Sequence, residues 1–398
     1  MASTSNTVIA GDIPPAYTID LSLAPQLRYV KLATDFKDHI IELTKLFEEV
    51  IASFGLGKSF KTILFLSRLC LRRVYSNEQT RELKGISTAT GVDIHLLVTL
   101  NVLLDVLMGC TSGGIAVGRG LDQRMLHFRT LDWGMDELRK VVVQLEFVEQ
   151  AGGPIVARSI TYVGFVGILT GVRQGLSISL NFRPTHNVSS TFSNFQYYSH
   201  NLLVLLGFRP SISSLLRDMI LPTSTKHPVS LDTIRSTFPQ IPTSAAYICL
   251  CDGQESLVVE KDRVTASTRS SKSFVAATNH DLEDPQTAPD FEPAHHGPVL
   301  PEEFVLDSRK RLSCIGRKWD VWNKTFLESH PGASEADVCV TQKALVQWIC
   351  EYPTCNEYTH YAAIMDPTAG TVAWVQRWQE PIPAEQDPCL SIATGSES

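Results

Sequence analysis

The chain has little of what marks the specialised classes of protein. No uninterrupted apolar run in its 398 residues reaches the length of a membrane span, and the longest candidate, 94–109, is broken by His95, Asn101 and Asp105. No basic block or aromatic-basic stripe points to nucleic acid, and the formal net charge is −7. The first twenty residues hold no basic stretch and no apolar core, so no secretory signal is visible and a cytoplasmic location is expected. Nine cysteines, odd in number and scattered, fit a reducing compartment better than a disulfide framework. Cys249-x-Cys251, the Cys350/Cys355 pair and His295-His296 lack the paired spacing of a zinc site. Gly113-Gly114, Gly118 and Gly120 lack the strand–GxGxxG–helix setting of a nucleotide loop. No metal and no cofactor is expected.

What remains is an ordinary globular composition, 43% hydrophobic and 19% charged, long enough for one large domain or two. Tyr17 to Leu21 reads as a strand, and apolar residues at helical spacing predict a helix over 27–51. A second helix is expected over 60–74, where Arg68, Arg72 and Arg73 alternate with apolar residues. That pattern suits a packed helix with a solvated face, or peripheral membrane contact through 27–74. The apolar run from Ile94 follows Asp93, an expected N-cap.

Beyond residue 134 the chain turns β-rich. Val141–Phe147 and Ile155–Ile160 make a hairpin, and glycine-spaced strands follow over 162–171 and 175–183. A polar loop is expected over 184–200, with helices over 201–207, 211–221 and 231–238. A hairpin turns at Asp252-Gly253, a Ser/Thr-rich connection covers 264–273, and a strand runs from Phe274 to Asp281. The proline-rich stretch 283–301 reads as a surface excursion. A helix opens at Asp307-Ser308-Arg309, and a last hairpin is built on 359–366 and 372–375.

The chemistry centres on Cys110. A cysteine beside an apolar run is ordinarily a small buried hydrophobe. Here Cys110-Thr111-Ser112 is followed, after sixteen residues, by Arg129-x-x-Asp132-Trp133-Gly134. This pattern resembles the acid ceramidases and the N-acylethanolamine-hydrolysing acid amidases. Upstream Asn101 and Asp105, the Gly164-x-x-Gly167-x-Leu169-Thr170-Gly171 run, Leu180-Asn181, Thr278-Asn279 and Asp307-Ser308-Arg309 match that family in order.

The resemblance implies a four-layer αββα sandwich, α+β in class, of the N-terminal-nucleophile hydrolases. It implies a helical light subunit, 1–109, and a catalytic subunit, 110–398, produced by self-cleavage between Gly109 and Cys110 and held as one unit. Cys110 would then carry both a thiol nucleophile and an α-amine whose ordinary pKa, about 7.7–8.0, suits it as the base. On the same resemblance Arg129 favours the thiolate, Asp132 holds the ammonium, Asn279 donates to the oxyanion, and Arg309 is a second cation. Tyr162, Phe182 and Arg183 fall in the substrate pocket. Phe182 replaces the family's acidic residue, so a shift in substrate or in the ratio of acyl transfer to hydrolysis is expected. The implied substrate is an N-acyl lipid or another acyl amide. An acyltransferase using the same intermediate, and an uncleaved lipid-binding protein without turnover, remain open at this point. So do a surface ion pair for Arg129/Asp132, a turn role for Asn279 and helix-surface charge for Arg309. The 283–301 excursion is expected to act as a lid, and the sequons at Asn187 and Asn323 to stay unglycosylated.

Overall fold

The computed structural model describes residues 11–44, 60–103, 109–118, 120–186, 190–222, 228–282 and 302–383. Thirteen strands among them form two sheets. The larger has the order β1-β4-β5-β6-β7-β8-β9-β10, the smaller β11-β2-β3-β12-β13. In the smaller sheet β2 (Gly109–Val117) and β3 (Arg124–Asp132) form a hairpin, flanked by β11 (Phe274–Ala277), β12 (Thr359–Asp366) and β13 (Thr371–Arg377). In the larger, β4 (Val142–Val148), β5 (Ile155–Tyr162), β6 (Thr170–Arg173), β7 (Leu176–Phe182), β8 (Ala246–Cys251), β9 (Ser256–Lys261) and β10 (Ala266–Ser271) form an antiparallel meander. β1 (Ala16–Asp20) joins it in parallel to β4, so the segment before Cys110 contributes a strand as well as helices.

The sheets face one another through β2 and β7, and helices cover their outer faces. On the smaller sheet lie α8 (Glu302–Ser329) and α9 (Gln342–Cys350), whose Ile315, Trp319, Leu345 and Trp348 bury Ile115, Val117, Leu126 and Phe128. Against the larger sheet pack α6 (Ile212–Ile220), preceded by α5 (Thr191–Leu205) and followed by α7 (Leu231–Thr237). The same core takes in α1 (Val30–Asp35), α3 (Asn77–Thr90) and α4 (Ile94–Leu103). The result is the expected αββα order.

Several boundaries differ from the sequence reading. The helix expected over 27–51 breaks at Phe36 and resumes over 37–44. Residues 191–200 are helical rather than loop, because Ser190 and Ser193 form a reciprocal capping box that starts α5 early. The Ser/Thr-rich 264–273 connection contains the edge strand β10, whose polar, half-exposed residues show no apolar alternation to read. α2 (Phe60–Cys70) turns Phe65, Leu66 and Leu69 outward and buries Ser67, the reverse of a packed apolar face. Cys314 in α8 is disulfide-bonded, so the expectation of fully reduced cysteines fails there. Asp105, Asn187 and the 283–301 excursion lie outside the described residues.

Candidate active site

Cys110 is the second residue of β2, inside a strand rather than at the end of a helix, and is fully buried. Pairing with β3 sets the geometry: Gly109 stands opposite Asp132, Cys110 opposite Leu131 and Ser112 opposite Arg129. Side chains alternate across a strand, so Cys110 and Ser112 face the larger sheet while Thr111 faces α8. The Cys110 thiol meets Arg129, whose Nη2 donates to Sγ at 3.4 Å. Arg129 is completely buried, and its Nη1 is fixed by the Leu180 carbonyl at 2.7 Å and Asn181 Oδ1 at 3.4 Å. Burial pushes the Cys110 thiol pKa up; Arg129 is the strongest of the groups that oppose this.

The main chain of Cys110 is held by two further side chains, one following β11 and one on α8. Its N–H donates to Asn279 Oδ1 at 2.7 Å, and its carbonyl accepts from Arg311 Nη1. Arg311 also donates to Thr111 Oγ1 at 3.0 Å and to Asn279 Oδ1 at 3.1 Å, while Asp307 Oδ2 fixes its Nε at 2.8 Å. Asn279 therefore presents its oxygen to Cys110. Its amide nitrogen donates to the Phe182 carbonyl at 2.7 Å. This reverses the expected presentation of an Asn279 N–H toward the reacting centre, because two donors, from Cys110 and Arg311, converge on one atom that must be an acceptor.

Asp132 is buried across from Gly109. Its Oδ1 accepts from Thr359 Oγ1 at 2.7 Å, whereas Oδ2 lies 3.8 Å from Arg311 Nη1 with no hydrogen bond. Burial raises its pKa to about 6, opposed by Arg311 and Thr359. A Cβ on residue 109 would lie 3.3 Å from Asp132 Cβ, a tight contact, and 3.7 Å from Arg311 Nη2, an ordinary one.

The second cation is Arg311, not Arg309. Two residues apart on α8 they differ by about 200° around the axis, so one helix cannot turn both into the same site. Arg311 is fully buried and Arg309 only half-buried. The sequence carried a signal for it: Asp307 and Arg311 stand one turn apart, the spacing of a helical ion pair. Thr359 carried none, since only the β3–β12 pairing brings it to Asp132.

The pocket residues separate. Phe182 lines an apolar cavity of about 310 Å³ between β7 and α5, with Leu180, Val102, Tyr197, Leu205 and Ile212. Arg183 also borders it, but its guanidinium is engaged by Asp281 at 2.7 Å and Asp262 at 3.5 Å rather than offered to a ligand. Tyr162 is not among the cavity's lining residues; it lies in the core with its hydroxyl 2.9 Å from His360 Nδ1. Upstream, Asn101 on α4 donates to the Gly164 carbonyl and accepts from Val166 N–H, both at 2.8 Å. It thereby fixes the β5–β6 turn, where Gly164 has φ 93°.

Residues 12–75 match the family described as the beta subunit of N-acylethanolamine-hydrolyzing acid amidase. The chain is 28% identical to the N-acylethanolamine-hydrolyzing acid amidase of Caenorhabditis elegans over 65% of its own length and 70% of that protein. It is 24% identical to the acid ceramidase of Pan troglodytes, over 89% of this chain and 84% of the relative. The chain is thus similar in sequence to acid amidases and acid ceramidases. A solved structure of the Caenorhabditis elegans acid amidase ortholog aligns with 65% of the chain and 93% of its own, at 18% identity and a TM-score of 0.44.

Proposed function

We propose that this chain hydrolyses the linear amide bond of N-acyl lipids, of the ceramide or N-acylethanolamine kind, with Cys110 as nucleophile after self-cleavage between Gly109 and Cys110. One observation carries the reading: both ends of a single residue are held. Arg129 Nη2 lies 3.4 Å from its sulfur and Asn279 Oδ1 2.7 Å from its nitrogen. In the precursor the thiol attacks the Gly109 carbonyl beside it and the Cys110 nitrogen leaves as the α-amine, giving a Gly109 thioester that water then hydrolyses to a Gly109 carboxylate and the free Cys110 thiol. That amine then takes the thiol proton, and Asp132 Oδ2, without a hydrogen-bond donor among the described residues, accepts the ammonium. The thiolate, facing Arg129, attacks the substrate carbonyl. The ammonium returns its proton to the departing amine, and water releases the fatty acid from the thioester.

The apolar cavity behind Phe182 suits the acyl chain. Phe65 and Leu69 on α2, with Phe192 and Phe195 on α5, are exposed and would take substrate from a lipid surface. Intact mass spectrometry with lipid hydrolysis tests the reading. Wild type should yield two fragments, the larger beginning at Cys110, and release fatty acid; Cys110→Ala should remain one inactive chain. A wild-type chain that hydrolyses these lipids while unbroken would remove self-cleavage from the scheme. Undiminished turnover by Cys110→Ala would end it.

A further inference from the structure

The end of β11 and the start of α8 meet at one hydroxyl. Ser308 is fully buried. Its Oγ accepts the Asn279 backbone N–H at 2.7 Å and is hydrogen-bonded to His280 Nδ1 at 2.8 Å and Thr278 Oγ1 at 3.0 Å. Three consecutive residues, 278 to 280, are thus gathered on one side chain. Ser308 lies between Asp307, which fixes Arg311 Nε, and Arg311 itself, whose Nη2 donates to the same Asn279 Oδ1 that receives the Cys110 N–H. Asn279 is therefore held along its main chain by Ser308 and at its side chain by Arg311, from neighbouring turns of one helix.

We propose that Ser308 is a positioning residue for Asn279, placing the carboxamide oxygen on the Cys110 nitrogen during self-cleavage and turnover. The inference rests on the function proposed above. A hydroxyl is suited to this place because it accepts the Asn279 N–H while donating to a neighbour, which neither alanine nor a carboxylate can do. Without it, the buried Asn279 N–H loses the Ser308 acceptor and the carboxamide the anchor beside it.

A double-mutant cycle tests this. Ser308→Ala should lower kcat and the self-cleavage rate by about tenfold with KM changed by less than about twofold. In an Asn279→Ala background the same substitution should have almost no further effect, because its action passes through Asn279. A weld between helix and strand acting only on stability would instead shift Tm equally in both backgrounds, leave kcat of the folded fraction unchanged, and overturn the proposal. So would effects on kcat that multiply. If Ser308→Ala does not fold, Ser308→Cys keeps the volume with a weaker acceptor; kcat between wild type and about a tenth of it supports the proposal, and wild-type kcat sinks it. If wild type releases no fatty acid from these lipids, the functional reading fails instead. The self-cleavage rate then still reads Ser308 by the same criteria.

Discussion

The two faces of the smaller sheet each deliver a fully buried arginine to Cys110, and the two do different work. Arg129 comes from β3, inside the sandwich, and reaches the sulfur. Arg311 comes from α8, outside it, and reaches the Cys110 carbonyl and Asn279. The surroundings differ as much. Toward the larger sheet the hairpin presents Ser112, His127 and Arg129 to Asn181, Ser177 and Ser179. Toward the helices it presents Ile115, Val117, Leu126 and Phe128 to an apolar layer. The interior face is thus given to polar groups whose bonds are made across the sandwich, and burial there holds the His127 pKa down to about 3. The exterior face of the hairpin packs Ile115, Val117, Leu126 and Phe128 on the helices, while Leu131 on the interior face joins the core between the sheets. A charge-bearing interior is costly unless its groups are paired, which is why Arg129 is fixed by a carbonyl and an amide before it meets the thiol.

The contrast is broken most severely by Arg129→Met. Loss of the charge at the thiol should cut hydrolysis by about a thousandfold, the upper end for removing one stabilising donor. It should also move the pH-rate profile of Cys110 alkylation to higher pH, since Arg129 opposes the upward shift from burial. Arg311→Met should cost about a hundredfold in kcat and slow self-cleavage, yet leave the alkylation profile nearly in place. Equal shifts of that profile in both variants would erase the division of labour between the two faces.

A third prediction concerns Asp132 and sharpens the same boundary. Its pKa is raised to about 6 from an ordinary 3.8, burial being the main cause. The native state therefore binds the proton more tightly than the unfolded chain. The stability this gives is fully present below about pH 4 and is lost as pH rises through about 6. Carboxylates with lowered pKa, such as Asp281 and Asp12, act in the opposite direction, so the comparison must be differential. In the uncut Cys110→Ala background, adding Asp132→Asn should remove a fall in Tm between pH 4 and 7. An identical Tm slope with and without Asp132 would contradict the raised value. The smallest effect is expected at Arg309, on the other side of α8 from Arg311. Arg309→Ala should leave kcat within about twofold, and a loss comparable to Arg311→Met would reverse the assignment.

Much of the fold was legible because hairpins announce themselves locally. Alternation in Val142–Val148, the Asp252-Gly253 turn and the 359–377 hairpin need only neighbours in sequence. β10 and the first turns of α5 were not legible, one for want of apolar contrast and the other because its start is set by serines inside a polar stretch. At the site, Cys110, Arg129 and Asp132 stand on paired strands of one hairpin, so their proximity follows from a short range of sequence. Arg311 and Thr359 reach it from about two hundred residues away or more.

By itself the sequence determined the local chemistry: a cysteine after a glycine, an arginine and an aspartate on the answering strand, and an asparagine at the end of a later one. Residue type and strand period suffice for that. Only the tertiary structure decided which arginine of Asp307-Ser308-Arg309-Lys310-Arg311 enters, since that depends on the rotation of α8 about its axis against β2. Only it decided that Asn279 offers its oxygen, because two donors from different elements converge there. The direction of a hydrogen bond and the facing side of a helix are relations between segments, and no single segment contains them.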